Sequence, residues 1–188
     1  MTEQQQTESN KSKERNLVEL TDGIIVLKPF TIDDAEEHLH GDDIEQEKWL
    51  SGGKSTIDTV TSWIKRNKNL WESAGQIFNF SIRTAQNNKI VGMIEANIDS
   101  KSVTGIKEGD ANISYGIYPE ARGRGYVVRA INLIQEFLKE KRINRLVIRI
   151  DPENLNSLRI PNRCGFKKIG NVITEQEEKL LIFTKNLK

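Results

Sequence analysis

The stretch PEARGRGYVVRA, residues 119–130, sets three arginines and two glycines between an apolar strand-like run and a long amphipathic run. A helix that begins near Tyr126 leaves its first backbone N–H groups unpaired, and with the helix dipole they form a seat for an anion. Gly123 and Gly125 let the backbone approach that anion and take the positive φ that a nest of amides needs. Arg122 and Arg124 add charge at the rim. Hydrogen bonds to a charged group contribute about 1.5–3 kcal/mol each, so a few amides can hold a pyrophosphate without a lysine. A basic turn that meets only water is the plainer alternative.

A second stretch, DPENLNSLRIPNRCGF, gathers Asn154, Asn156 and Ser157 at the end of a strand, where an open sheet puts its ligand crevice. Their plainer role is capping, with Ser157 as N-cap of a short helix, although Pro161 then removes one of that helix's first hydrogen bonds. LSGGKST carries the glycine-lysine-serine core of a Walker A loop, but Lys48 stands where the first glycine is required. That segment reads instead as a solvated turn capping the next helix. His38 and His40 have no partner at metal-ligand spacing and read as surface residues of a polar helix, so no metal is expected. Cys164, just before Gly165, reads as a small buried residue. Trp49, Trp63 and Trp71 read as core residues or as walls of a cleft.

These groups need elements to hold them. GIIVLKPF reads as a strand ending near Pro29, and Thr31, followed by Asp33 and Asp34, caps a helix. STIDTVTSWIKRNKNLW repeats apolar residues at helical spacing through Ile57, Val60, Ile64 and Trp71. Two strands flank QNNK, a turn suited to asparagine's tolerance of left-handed backbone, and NISYGIY is a further strand. Residues 126–141 form an amphipathic helix with Val127, Ile131, Ile134 and Leu138 on one face. RLVIRID, a short helical segment to Cys164, and two closing strands complete the order, a strand–helix–strand unit within a mixed α/β chain.

At 188 residues the chain suits one domain. Residues 1–15 are polar, read as a disordered tail, and leave residues 16–188 as the globular unit. Lys and Arg number 28 against 27 Asp and Glu, a formal charge of +1, so no general field draws the protein to nucleic acid or membrane. One cysteine makes no internal disulfide, and no run is apolar enough to span a bilayer. A cytoplasmic location is expected.

Together, ISYGIYPEARGRGYVVRAINLIQEFL and IRIDPENLNSLRIPNRCGF resemble the GNAT superfamily of acyl-CoA-dependent N-acetyltransferases, over residues 112–166. They are most similar to the branch of ribosomal-protein serine and alanine N-terminal acetyltransferases. The resemblance implies a mostly antiparallel central sheet with one parallel strand pair splayed around the acyl-CoA, flanked by helices. It implies acetyl-CoA as co-substrate and a cofactor seat built from Ile117, Tyr118, Arg122, Gly123, Arg124, Gly125, Tyr126, Val127 and Asn154. Val127 departs from the family's small residue at the end of the loop.

The resemblance further implies an amine acceptor, either a protein N-terminus or a small molecule, and a monomer or homodimer. Many members place a tyrosine acid where this chain has Pro161, and some place a glutamate base where it has Arg149; in the branch resembled, a serine acid falls on Ser157. Glu95 and Glu175 are the candidates for a base. The departures leave a second reading, an acyl-CoA-binding sensor without turnover. About one α-amino group in ten is neutral at pH 7, against about one lysine amine in a few thousand, so an α-amino acceptor asks less of a base.

Overall fold

The computed structural model describes residues 18–73 and 75–187; the tail expected over residues 1–15 lies outside them. Eight strands form one sheet in the order β1-β2-β3-β4-β5-β6-β8-β7. In chain order these are β1 (Leu20–Thr21), β2 (Ile25–Pro29), β3 (Ile77–Thr84), β4 (Ile90–Asn97), β5 (Asp110–Ile117), β6 (Arg145–Ile150), β7 (Lys167–Ile173) and β8 (Lys179–Asn186). The principal helices are α1 (Ala35–Gly41), α2 (Ile57–Ser73), α3 (Tyr126–Glu140) and a single turn, α4 (Ile160–Arg163), with short helical turns at Ile44–Gln46 and Glu47–Ser51 between α1 and α2. The QNNK turn forms as its asparagines suggest, with Asn88 at φ 59°.

Every neighbouring pair is antiparallel except β5 with β6. These two are in register only at Asp110↔Arg145, Ala111↔Leu146 and Asn112↔Val147. Beyond that point each strand follows its outer neighbour: β5 stays paired with β4 as far as Ile117 and β6 with β8 as far as Ile150. The result is a V whose closed end is clamped by Arg145, which donates from both sides of its guanidinium to Asp110 at 2.8 and 2.6 Å. The splayed parallel pair expected from the family resemblance is present.

The two faces of the sheet are covered by different helices. Ile131, Ile134 and Leu138 of α3 pack with Phe80, Ile94 and Ile113 in the main core. Val60 and Ile64 of α2 pack with Phe30, Met93 and Tyr118 on the other face. Entry into α1 is fixed by Asp34. One of its oxygens accepts the Thr31 N–H at 2.8 Å and the other meets Arg83 at 2.6 Å, in an ion pair about a tenth exposed on each side. Breaking either half would strand a buried charge.

His38 overturns the surface reading. It is 6% exposed, its Nδ1 lies 2.5 Å from the Tyr118 hydroxyl, and its ring stacks on Trp63. The periodicity of a short helix does not reveal that tertiary aromatic neighbours close over one histidine while His40, two residues on, stays exposed.

Burial holds the His38 ring below its usual pKa, opposed by the charges of Asp42 and Asp34. The unfolded chain therefore takes up a proton that the folded chain refuses, and stability falls as pH drops below about 6.5 until it reaches the depressed folded value. His38→Gln should flatten the fall in urea midpoint between about pH 7.5 and about pH 5.5. An unaltered slope would mean that other groups govern it.

Candidate functional site

The mouth of the V opens into a cleft of about 1570 Å³ that runs from the loop before α3 to the outer turns of α2. Its end beside α3 is built locally. After the turn Pro119–Ala121, Gly123 and Gly125 take φ 76° and 77°, and the amides of Gly123, Arg124 and Gly125 donate to none of the described residues. A Cβ built on either glycine meets nothing within 4 Å, so the loop is left open rather than packed. Such a nest, continuous with the unpaired first turn of α3, matches the demands of a pyrophosphate.

Arg122 is employed differently from the rim charge expected. Its guanidinium grips Asp43 through two contacts of 2.8 Å, and its Nε donates to the Ile117 carbonyl at 3.0 Å. The partnership holds Asp43 below the ordinary carboxylate range, its own burial opposing. Arg122 thus ties the loop to β5 and to the turn that follows α1, while Arg124 remains exposed beside the nest. Val127 both packs against the main core and lines the cleft.

The backbone of β5 sorts its own residues. The Tyr118 N–H donates to Val91 O at 2.9 Å, so by strand alternation the amides of Gly116 and Ser114 also face β4, and those of Tyr115 and Ile117 face the mouth of the V. Ile117 lies on the cleft as expected. Tyr118 does not: its amide is spent on β4 and its side chain lies in the second core. Of the nine residues of the expected cofactor seat, eight line the cleft, as does Ser157, and Tyr118 lies off it.

At the end of β6, Asn154 takes the capping bond that Ser157 was expected to make, its Oδ1 accepting the Ser157 N–H at 3.0 Å. Ser157 Oγ is thereby left to meet the Tyr115 hydroxyl at 2.8 Å. Pro161 removes no hydrogen bond, because the segment breaks into a turn at Ser157–Arg159 and α4, where proline sits at the helix start. Tyr115 was not singled out in the sequence. Burial pushes its phenol up to about 12, against the effect of its hydrogen bond with Ser157, so it stays protonated.

The opposite face of the sheet presents a polar row. Asn79, Glu95 and Ser114 stand directly across from one another on β3, β4 and β5. Asn79 Nδ2 donates to Glu95 Oε2 at 3.0 Å. Burial raises the Glu95 carboxyl, opposed by Asn79 and by the charge of Arg66. Glu95 lines the cleft, whereas Glu175 is exposed in the turn between β7 and β8 and lies off it. Trp49 and Trp63 line the cleft, and Trp71 packs edge-on against Phe78 and Phe80 as core. Thr56 caps α2 by accepting the Thr59 N–H at 3.2 Å, in keeping with the capping reading of LSGGKST. Cys164 is buried, its thiol raised by desolvation, and off the cleft.

The model of the Acetyltransferase (GNAT) domain matches residues 25–167. The chain belongs to the GNAT acetyltransferases. It is an acyl-CoA-dependent acetyltransferase, and acetyl-CoA is the donor that the family uses. A relative in Bacillus subtilis (strain 168), named "Probable N-acetyltransferase YjcK", is 25% identical over 154 residues, covering 78% of this chain and 82% of its own.

Solved structures share the fold of this acetyltransferase. Ribosomal-protein-S5-alanine acetyltransferase from Vibrio fischeri superposes with a TM-score of 0.73 at 18% identity, covering 91% of this chain and 97% of its own. RimJ from Mycobacterium smegmatis, solved with CoA-disulfide, gives 0.74 at 18% identity, covering 90% and 86%. At such identities the likeness is one of fold. Among the described residues no helix is long and apolar enough to cross a membrane, and no cluster of His, Cys, Asp or Glu suits a metal ion.

Proposed function

We propose that this acetyltransferase moves an acetyl group from acetyl-CoA to a primary amine, on a protein N-terminus or a small molecule, by direct attack while both substrates are bound. The observation that carries the reading is the V between β5 and β6. It is open to the anion loop beside α3 on one face of the sheet and to the polar row under α2 on the other. Two substrates can enter from two sides and meet between the strands. The buried, off-cleft Cys164 argues against a route through an acyl-cysteine.

Acetyl-CoA supplies an activated acetyl thioester. The amides of residues 123–125 and the first turn of α3 would hold its pyrophosphate, with Tyr126 and Val127 beside them and Asn154 across the cleft. The Ile117 N–H, facing the mouth of the V, is suited to polarise a carbonyl. Glu95, its basicity raised by burial, accepts a proton from the acceptor's ammonium, and Ser157 donates a hydrogen bond to the departing sulfur, backed by Tyr115. The reading takes residues 16–188 as one catalytic domain working in the cytoplasm, as monomer or homodimer.

The test is free-thiol release from acetyl-CoA with a panel of amines, run beside calorimetry with coenzyme A. Release that depends on added amine is expected. Binding without turnover for any primary amine would favour the sensor reading, and no binding would remove the loop assignment.

A further inference from the structure

Asn67 is the one residue among the described buried side chains with both polar atoms unpaired: neither its Nδ2 nor its Oδ1 has a hydrogen-bond partner. It is 5% exposed and lies on the face of α2 that carries Val60 and Ile64. An apolar residue there would pack without leaving a donor and an acceptor stranded. Asn67 also lines the cleft, together with its neighbour Arg66 and with Glu95, and Arg66 is close enough to act on the Glu95 carboxyl. Below it, on β3, Asn79 holds Glu95 with its Nδ2 and leaves its own Oδ1 unpaired.

An amide presents one donor edge and one acceptor edge, and its natural complement is a second amide. We infer that Asn67 is an acceptor subsite for an amide group, so that the enzyme prefers primary amines carrying a carboxamide or peptide group near the nitrogen. This rests on the N-acetyltransferase reading above. Asn67 Nδ2 donates to the acceptor's carbonyl, Oδ1 accepts from its amide N–H, and Glu95 meets the ammonium. A polyamine has no carbonyl to offer Nδ2, and its further positive charges would face Arg66.

The experiment compares kcat/KM for alaninamide and a short peptide with N-terminal alanine against propylamine and putrescine, in the native protein, Asn67→Leu and Asn67→Ala. Coenzyme A calorimetry on each variant reports an intact domain. The native protein should favour the two amide-bearing amines, and the variants should lose about tenfold of that preference. Preference for the peptide alone points to a polypeptide acceptor, and equal preference for alaninamide shows that one amide suffices; either supports the subsite. The thermal midpoint of ligand-free Asn67→Leu should rise, because a stranded amide is gone. Variants that bind coenzyme A and keep the preference, or a native enzyme with none, overturn the subsite alone. A native protein that acetylates none of the four amines overturns the proposed function, and the subsite with it.

Discussion

Gly125→Glu should weaken coenzyme A binding by at least about a hundredfold while the domain still folds. Three effects add. At φ 77° a side chain with a Cβ pays about 1–2 kcal/mol to hold the left-handed backbone. Relaxing that backbone takes the amides out of the nest, and each hydrogen bond to a charged group lost costs about 1.5–3 kcal/mol. The carboxylate then faces the anion the loop is shaped for. Two lost bonds alone amount to about two to four powers of ten in Kd. Folding is spared, since a Cβ at this position meets no protein atom within 4 Å. Gly125→Ala, with strain but no charge, should fall between. Calorimetry with coenzyme A on both variants, beside thermal melts, reads the result; unchanged affinity in Gly125→Glu would sink the loop assignment.

Ser157→Ala is expected to lower kcat about a hundredfold at saturating acetyl-CoA, the low end of what proton transfer contributes, because a serine hydroxyl is a weak acid. Tyr115→Phe should cost about tenfold. Its phenol, kept protonated by burial, lies 2.8 Å from Ser157 Oγ, and when Ser157 donates onward to sulfur the phenol donates to Oγ and strengthens that bond. Tyr115 is a positioning residue in this scheme, acting only through Ser157. The double variant should therefore be no slower than Ser157→Ala by itself, an interaction that a double-mutant cycle detects. Losses that simply multiply would show two independent roles and reject the relay.

Residues 119–130 could be read from the chain because the loop and helix start they make are local. Glycine's access to positive φ, the unpaired amides of a first helical turn and the apolar stripe through Ile131, Ile134 and Leu138 all arise within a few residues, and each is present. The same holds for the QNNK turn at Asn88 and for the capping of α2 by Thr56. The family resemblance supplied the splayed strand pair, which local reasoning alone did not contain.

What remained hidden in the chain depends on which distant residues pack together. Arg122 meets Asp43, 79 positions away, and so becomes a tie rather than a free charge. Ser157 meets Tyr115, 42 positions away, and His38 meets Tyr118, 80 away. Asn67 looks like one more polar residue of a helix until the fold turns it inward without a partner. Sequence by itself determined most of the elements and the glycine-bounded loop before α3, because helix periodicity and glycine backbone act over one or two turns, while the acetyl-CoA donor was implied by the family resemblance. Only the tertiary structure decided which side chains share the cleft and which charges are already spent, because hydrogen bonds and burial between distant segments exist only once the sheet has brought them together.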